Sequence, residues 1–244
     1  MELLPRSKRI IAALDLATPS AALEFMKTIG PFVGPGKVGP NLFLNSVLEG
    51  RNIIRELLFM NTEVFLDLKL KDKPNQIHGA VAAITKLGVS MFTVDTAGGK
   101  EMMRAARDSV DATHQEFGNG RKKPLIIGVT VLTSLIETDE GPVEKVVRRK
   151  ALLAQSARLD GCTTSPREVK IVREACGPDF TIVTPGISLS GGLYADQKRT
   201  GTAVQAVTDG ADYVVVGTAF LQSREPVKVA IALAAELAAL ERGV

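Results

Sequence analysis

The chain has 244 residues, 45% of them hydrophobic and 23% charged, with a formal net charge of +3. That composition is globular and long enough for one large core. The small charge, with no basic run and no aromatic-basic interleaving, does not point to nucleic acid, and no apolar segment approaches the roughly 20 residues that cross a bilayer.

The N-terminal MELLPRSKRIIAALD has no long apolar stretch ending in a small-residue cleavage site, so no targeting segment is expected. Cys162 and Cys176 lack metal-ligand spacing and read as two reduced, largely buried thiols, which suits a cytoplasmic protein. His78 and His114 are the only histidines, too few for a histidine-rich metal centre.

Short apolar runs alternate with longer helical segments along the chain. Lys8–Asp15 reads as the first strand, and Thr18-Pro19 opens a helix with an N-cap and a proline behind it. Residues 36–39 form a short second strand, followed by one helix over about 41–60. Residues 63–70 form the third strand and 74–87 the next helix. Residues 91–95 form the fourth strand, with a helix over 100–114 and a polar loop over 116–123. Residues 125–131 form the fifth strand, with a helix over 143–157. Residues 159–163 form the sixth, followed by a helix that Ser165 caps. Residues 181–184 form the seventh, and a glycine-rich loop runs from Pro185 to Thr200. A helix over about 202–209, an eighth strand over 213–216 and an alanine-rich closing helix from Pro226 complete the chain. Eight strand-helix units with near-continuous apolar strands predict an α/β fold, a (β/α)8 TIM barrel, with one domain over residues 1–244. A doubly wound open sheet is the alternative. It is disfavoured because no strand is followed by a dinucleotide-type glycine fingerprint.

The third strand, VFLDLKL, carries chemistry that a buried strand does not need. Alternation places Asp67 and Lys69 on one side and Leu66, Leu68 and Leu70 on the other. Buried charges are costly unless paired. Other polar residues fall at the same ends of the strands: Asp15, Lys37, Asp95, Thr130, Thr133, Ser134, Ser165, Pro185, Gly217 and Thr218. In such barrels the active site lies at the C-terminal strand ends, so these residues line a polar mouth. Lysines and carboxylates gathered there form an alternating charged network, in which a lysine stays protonated and acts as an acid toward a carbanion. Glycines in the loops after the last two strands offer backbone N–H donors to a phosphate.

Over nearly its whole length the chain resembles orotidine 5'-phosphate decarboxylases. The resemblance lies in IAALD (11–15), KVG (37–39), DLKLKDKPN (67–75), VTVLTS (129–134), LDG (159–161), VTPGI (183–187), DQKR (196–199) and GADYVVVG (210–217). It implies decarboxylation of orotidine monophosphate with no metal and no organic cofactor. Lys37, Asp67, Lys69 and Asp72 would form a charged tetrad. Lys69 would protonate C6, and Asp67 would sit beside the departing carboxylate. Asp72 would reach across a homodimer interface into the partner's site. Asp15 would bind a ribose hydroxyl and orient Lys37. Thr133 or Ser134 would meet the pyrimidine edge. Gln197 and the backbone near Gly217, with Pro185 and Thr218 in the same region, would hold the 5'-phosphate.

The chain departs from the family where substrate is gripped. Thr218 and Ser188 stand where arginines are usual, and Gln76 stands where a threonine is usual. Lys73 adds charge beside Asp72, and Thr93-Val94-Asp95-Thr96 replaces an Asn-Val-His-Ala segment. Hydroxyls cannot reproduce the bidentate, charge-assisted bonds of a guanidinium, which leaves Lys198 and Arg199 as candidate substitutes. These departures keep a second expectation open: a divergent superfamily member acting on another nucleotide or a sugar phosphate.

Overall fold

In a computed structural model of the chain, eight parallel strands close into a barrel in sequence order. The structure describes residues 7–118, 120–189 and 199–241. The strands are β1 (Ile10–Ala13), β2 (Gly36–Val38), β3 (Val64–Leu70), β4 (Met91–Asp95), β5 (Leu125–Val129), β6 (Gly161–Thr163), β7 (Thr181–Thr184) and β8 (Tyr213–Val216). β8 returns to β1 with Ile10 opposite Val214 and Ala12 opposite Val216, so no sheet edge remains. This closure rules out the open doubly wound sheet.

The period of two along each strand divides the apolar residues between two cores. Ile11, Ala13, Phe65, Met91, Ile127, Val183 and Val215 point inward and fill the barrel. Their neighbours Ile10, Ala12, Leu66, Phe92, Ile126, Ile182 and Val214 point outward, into the layer beneath the helices.

That outer layer is covered by α1 (Pro19–Ile29), α2 (Pro40–Leu48), α3 (Ile53–Phe59), α4 (Pro74–Leu87), α5 (Gly99–Phe117), α6 (Val143–Ser156), α7 (Val169–Cys176), α8 (Ala203–Thr208), α9 (Thr218–Leu221) and α10 (Pro226–Glu241). The single helix expected over 41–60 is two. Gly50 turns left-handed at φ 67° and Asn52 caps the second helix by accepting the Arg55 N–H at 3.1 Å.

The N-terminal ends of the strands carry one device twice. Asp160, just before β6, accepts the Ile126 N–H of β5 at 2.7 Å and is bound by Arg107 from α5. Asp212, just before β8, accepts the Ile182 N–H of β7 at 2.8 Å and is bound by Arg173 from α7 at 2.7 Å. Each aspartate thus satisfies a strand-start amide and anchors a helix to the barrel floor. Gly161 follows Asp160 because a Cβ there would lie 2.1 Å from the Thr181 carbonyl oxygen of β7.

Cys162 faces the helix layer and Cys176 ends α7; both are free and buried, and burial pushes both thiols up from their ordinary range. A thiol reagent at pH 8 should therefore label neither cysteine in the native protein and both after denaturation. Rapid native labelling would show that α7 does not stay packed.

Candidate active site

On several strands the inward column runs from the packed barrel into its mouth. Ile11 and Ala13 lead to Asp15. Lys37 is the inward residue of β2. Phe65 leads to Asp67 and Lys69, and Val215 leads to Gly217. These side chains surround a cavity of about 220 Å³ at the C-terminal ends of the strands, whose floor includes Ala13, Phe65 and Val215. Thr133, Pro185 and Thr218 complete its wall, together with Thr163, Thr164, Ile187 and Thr200.

Along one side runs a row of alternating charge. Lys37 Nζ lies 3.2 Å from Asp15 Oδ1 and 3.6 Å from Asp67 Oδ2. Lys69 Nζ lies 2.9 Å from the same Asp67 oxygen. Asp67 is 9% exposed, so its charge is tolerated only because both its oxygens are occupied. The other oxygen, Oδ1, accepts the Thr93 hydroxyl at 3.0 Å. Thr93 is fully buried on β4 and in turn accepts the Lys69 N–H at 2.8 Å.

That last bond is made possible by a break in the strand. Lys69 adopts φ 51°, a left-handed conformation that is costly for a residue with a Cβ. Pairing with β4 slips at this point, since Leu66 opposes Phe92 but Leu70 opposes Val94. A bulge of this kind re-aims a side chain. Asp67 and Lys69 do share a side, as alternation predicts, but Lys69 is aimed by the bulge and not by a regular pleat. Leu68 and Leu70 are only partly buried against the outer core as a result.

Several expectations are refined. Of the two hydroxyls after β5, Thr133 lines the cavity, whereas Ser134 is exposed and does not. Thr130 is buried and donates to the Thr163 carbonyl at 2.7 Å. Ser165 caps the turn after β6 and donates to buried Glu168, so it serves the scaffold. Asp72 is exposed, with its carboxylate accepting the Lys73 N–H at 2.6 Å, and within one chain it does not join the charged row. Arg199 does not replace the missing phosphate arginine: it is 3% exposed and its guanidinium binds Glu168 at 2.6 Å. Gln197 and Lys198 lie outside the described residues. Thr93, Thr163 and Thr164 were not singled out as site residues in the sequence. For Thr93 and Thr163 the signal is a hydroxyl at an inward strand position; Thr164, on the opposite side by alternation, carries none.

Fold and site define a (β/α)8-barrel enzyme with paired lysines and carboxylates at its mouth. Comparison with known proteins takes this further: the Orotidine 5'-phosphate decarboxylase / HUMPS family matches residues 8–233, and the chain belongs to that family. It is 41% identical over 236 residues to the orotidine 5'-phosphate decarboxylase of Moorella thermoacetica, covering 94% of this chain and 92% of that one. It is also 41% identical over 244 residues to that of Syntrophotalea carbinolica, covering 97% and 98%. The crystal structure of orotidine 5'-phosphate decarboxylase from Lactobacillus acidophilus matches with a TM-score of 0.79 at 30% identity, over 94% of this chain and 99% of that chain.

The bulge makes a testable claim about stability. Lys69→Gly and Lys69→Ala both remove the ammonium group, but only alanine keeps a Cβ in the left-handed region. The glycine variant should be the more stable by roughly 1 kcal/mol, or about 2–4 °C in melting temperature. The reverse order would mean that Lys69 is not held left-handed.

Proposed function

We propose that this chain is an orotidine 5'-phosphate decarboxylase, releasing carbon dioxide from orotidine 5'-monophosphate to give uridine 5'-monophosphate in pyrimidine biosynthesis. The observation that carries this reading is the row Asp15–Lys37–Asp67–Lys69 on one wall of the cavity, in a chain whose curated relatives are named for this activity. Those names favour it over the reading as a lyase of another phosphorylated substrate.

In this reading the pyrimidine enters with its carboxylate beside Asp67. Two like charges side by side disfavour the bound carboxylate. Cleavage of the C–C bond releases carbon dioxide and leaves the electron pair on C6. Lys69 delivers its Nζ proton to that carbon and is reprotonated from solvent. Lys37, between Asp15 and Asp67, pairs with both carboxylates and holds them in place. Asp15 binds a ribose hydroxyl. Thr133 meets the base, and Pro185, Gly217, Thr218 and Gln197 surround the phosphate. The chemistry draws on these side chains alone, with no metal or cofactor.

Asp72 belongs to the same reading as a residue given to a partner. Its exposure, three residues beyond Lys69, supports a homodimer in which each copy completes the other's site. A cytoplasmic location is also part of it, supported by the two unpaired, buried thiols. No helix among the described residues is long and apolar enough to cross a membrane.

The test is the ultraviolet absorbance of orotidine 5'-monophosphate incubated with purified protein. Wild type should consume the orotate chromophore, and folded Lys69→Ala should not. An unchanged absorbance at high wild-type concentration sinks the reading, and brisk turnover by Lys69→Ala removes Lys69 as the acid. Thr218 then becomes a matter of grip. Thr218→Arg should tighten uridine 5'-monophosphate by about 10-fold, the scale of one charge-assisted bond, while uridine affinity stays unchanged. Equal affinities for the nucleotide in both proteins would mean that the phosphate is not held at the end of β8.

A further inference from the structure

Arg199 is buried in a place where a guanidinium is hard to keep. It is 3% exposed, and its counter-ion Glu168 is also 3% exposed. Such a pair is weak evidence for stability, because desolvation offsets its attraction, so its bonding pattern matters more than its charge. Nη1 binds Glu168 Oε2 at 2.6 Å. Nη2 donates to two successive carbonyls beyond β5, Val131 at 3.1 Å and Leu132 at 3.0 Å. The Arg199 N–H donates to the next one, Thr133, at 3.3 Å. The same Glu168 oxygen also accepts the Ser165 hydroxyl, in the turn after β6.

The segment that carries Arg199 is joined to the loop after β7. Gly201 N–H donates to the Gly186 carbonyl at 3.1 Å, and Ser188 N–H donates to the Gly201 carbonyl at 3.0 Å. One side chain therefore links three strand-end segments, those after β5, β6 and β7. All three border the cavity: Thr133 lies on the first, Thr164 on the second, and Pro185 and Ile187 on the last.

We infer that Arg199, held by Glu168, is a positioning residue that fixes the wall meeting the pyrimidine relative to the wall meeting the phosphate. This rests on the reading of the chain as an orotidine 5'-phosphate decarboxylase. A nucleotide gripped at both ends transmits phosphate binding energy to the reacting carbon only if the distance between the grips is fixed. A displacement of about 1 Å far from the chemistry can cost on the order of 100-fold. A substrate without a phosphate engages one wall only and is insensitive to that distance.

The readout is the ratio of kcat/KM for orotidine 5'-monophosphate to kcat/KM for orotidine. Arg199→Lys keeps the charge opposite Glu168 but loses the second arm to the Val131 and Leu132 carbonyls. Glu168→Gln keeps the shape and loses the counter-charge. In both, the ratio should fall by roughly 10- to 100-fold, with orotidine turnover within about threefold of wild type. An equal loss on both substrates, or an unmoved ratio, makes the pair scaffold only and overturns the inference. So does failure of both variants to fold. If wild type decarboxylates neither substrate, it is the functional reading itself that has failed.

Discussion

A carboxylate that is almost wholly buried cannot remain charged alone, and the site is built around that constraint at Asp67. Its two oxygens take bonds from an ammonium on either side and a hydroxyl from the next strand. Remove any of these and the nearly buried charge is left poorly compensated. The row of alternating charge is thus held together by its most buried member. The lysine that ends the row gains both a counter-ion and a fixed direction. Its ammonium is only half-shielded, so it faces the cavity while its base is tethered. The cost of this arrangement is visible in the backbone, where a non-glycine residue turns left-handed in the middle of a strand.

Barrel geometry supplies the rest. The inward columns of β1, β3 and β4 begin as packing and end as polar groups, and the interior cluster of Ile11, Ala13, Phe65, Met91, Ile127, Val183 and Val215 lies beneath them. That packed floor excludes water from below. It also fixes where each strand end emerges, so residues distant in sequence, such as Asp15, Lys37 and Asp67, meet within ion-pair distance. The same logic explains Thr93: Met91 and Thr93 are successive inward positions of β4, one apolar in the barrel and one polar at its rim.

Much of this was legible in the sequence because it depends on local periodicity. β4, β7, β8 and α4 fall where alternation, capping and proline placement put them. The residues Asp15, Lys37, Asp67 and Lys69 were legible because charges on apolar strands have few structural uses. What was not legible depends on neighbours in space. The break between α2 and α3 hangs on a single left-handed glycine within an otherwise helical pattern. Thr93 looks like an ordinary β-branched strand residue until β3 is laid beside it. Ser165 looked like part of the mouth, yet its hydroxyl turns to Glu168, whose own partner is 31 residues away. Arg199 could be read as a spare cation for phosphate, since sequence carries no sign that its charge is already engaged.

The paired clamps at the strand starts have a consequence for how such a protein can change over time. Arg107 with Asp160, and Arg173 with Asp212, lock strands and helices together at the end of the barrel opposite the cavity. These anchoring contacts are thereby separated from those that line the cavity. Residues at the mouth such as Thr218 can be replaced without touching these clamps. The grip on a ligand can thus be retuned while the same vessel is kept.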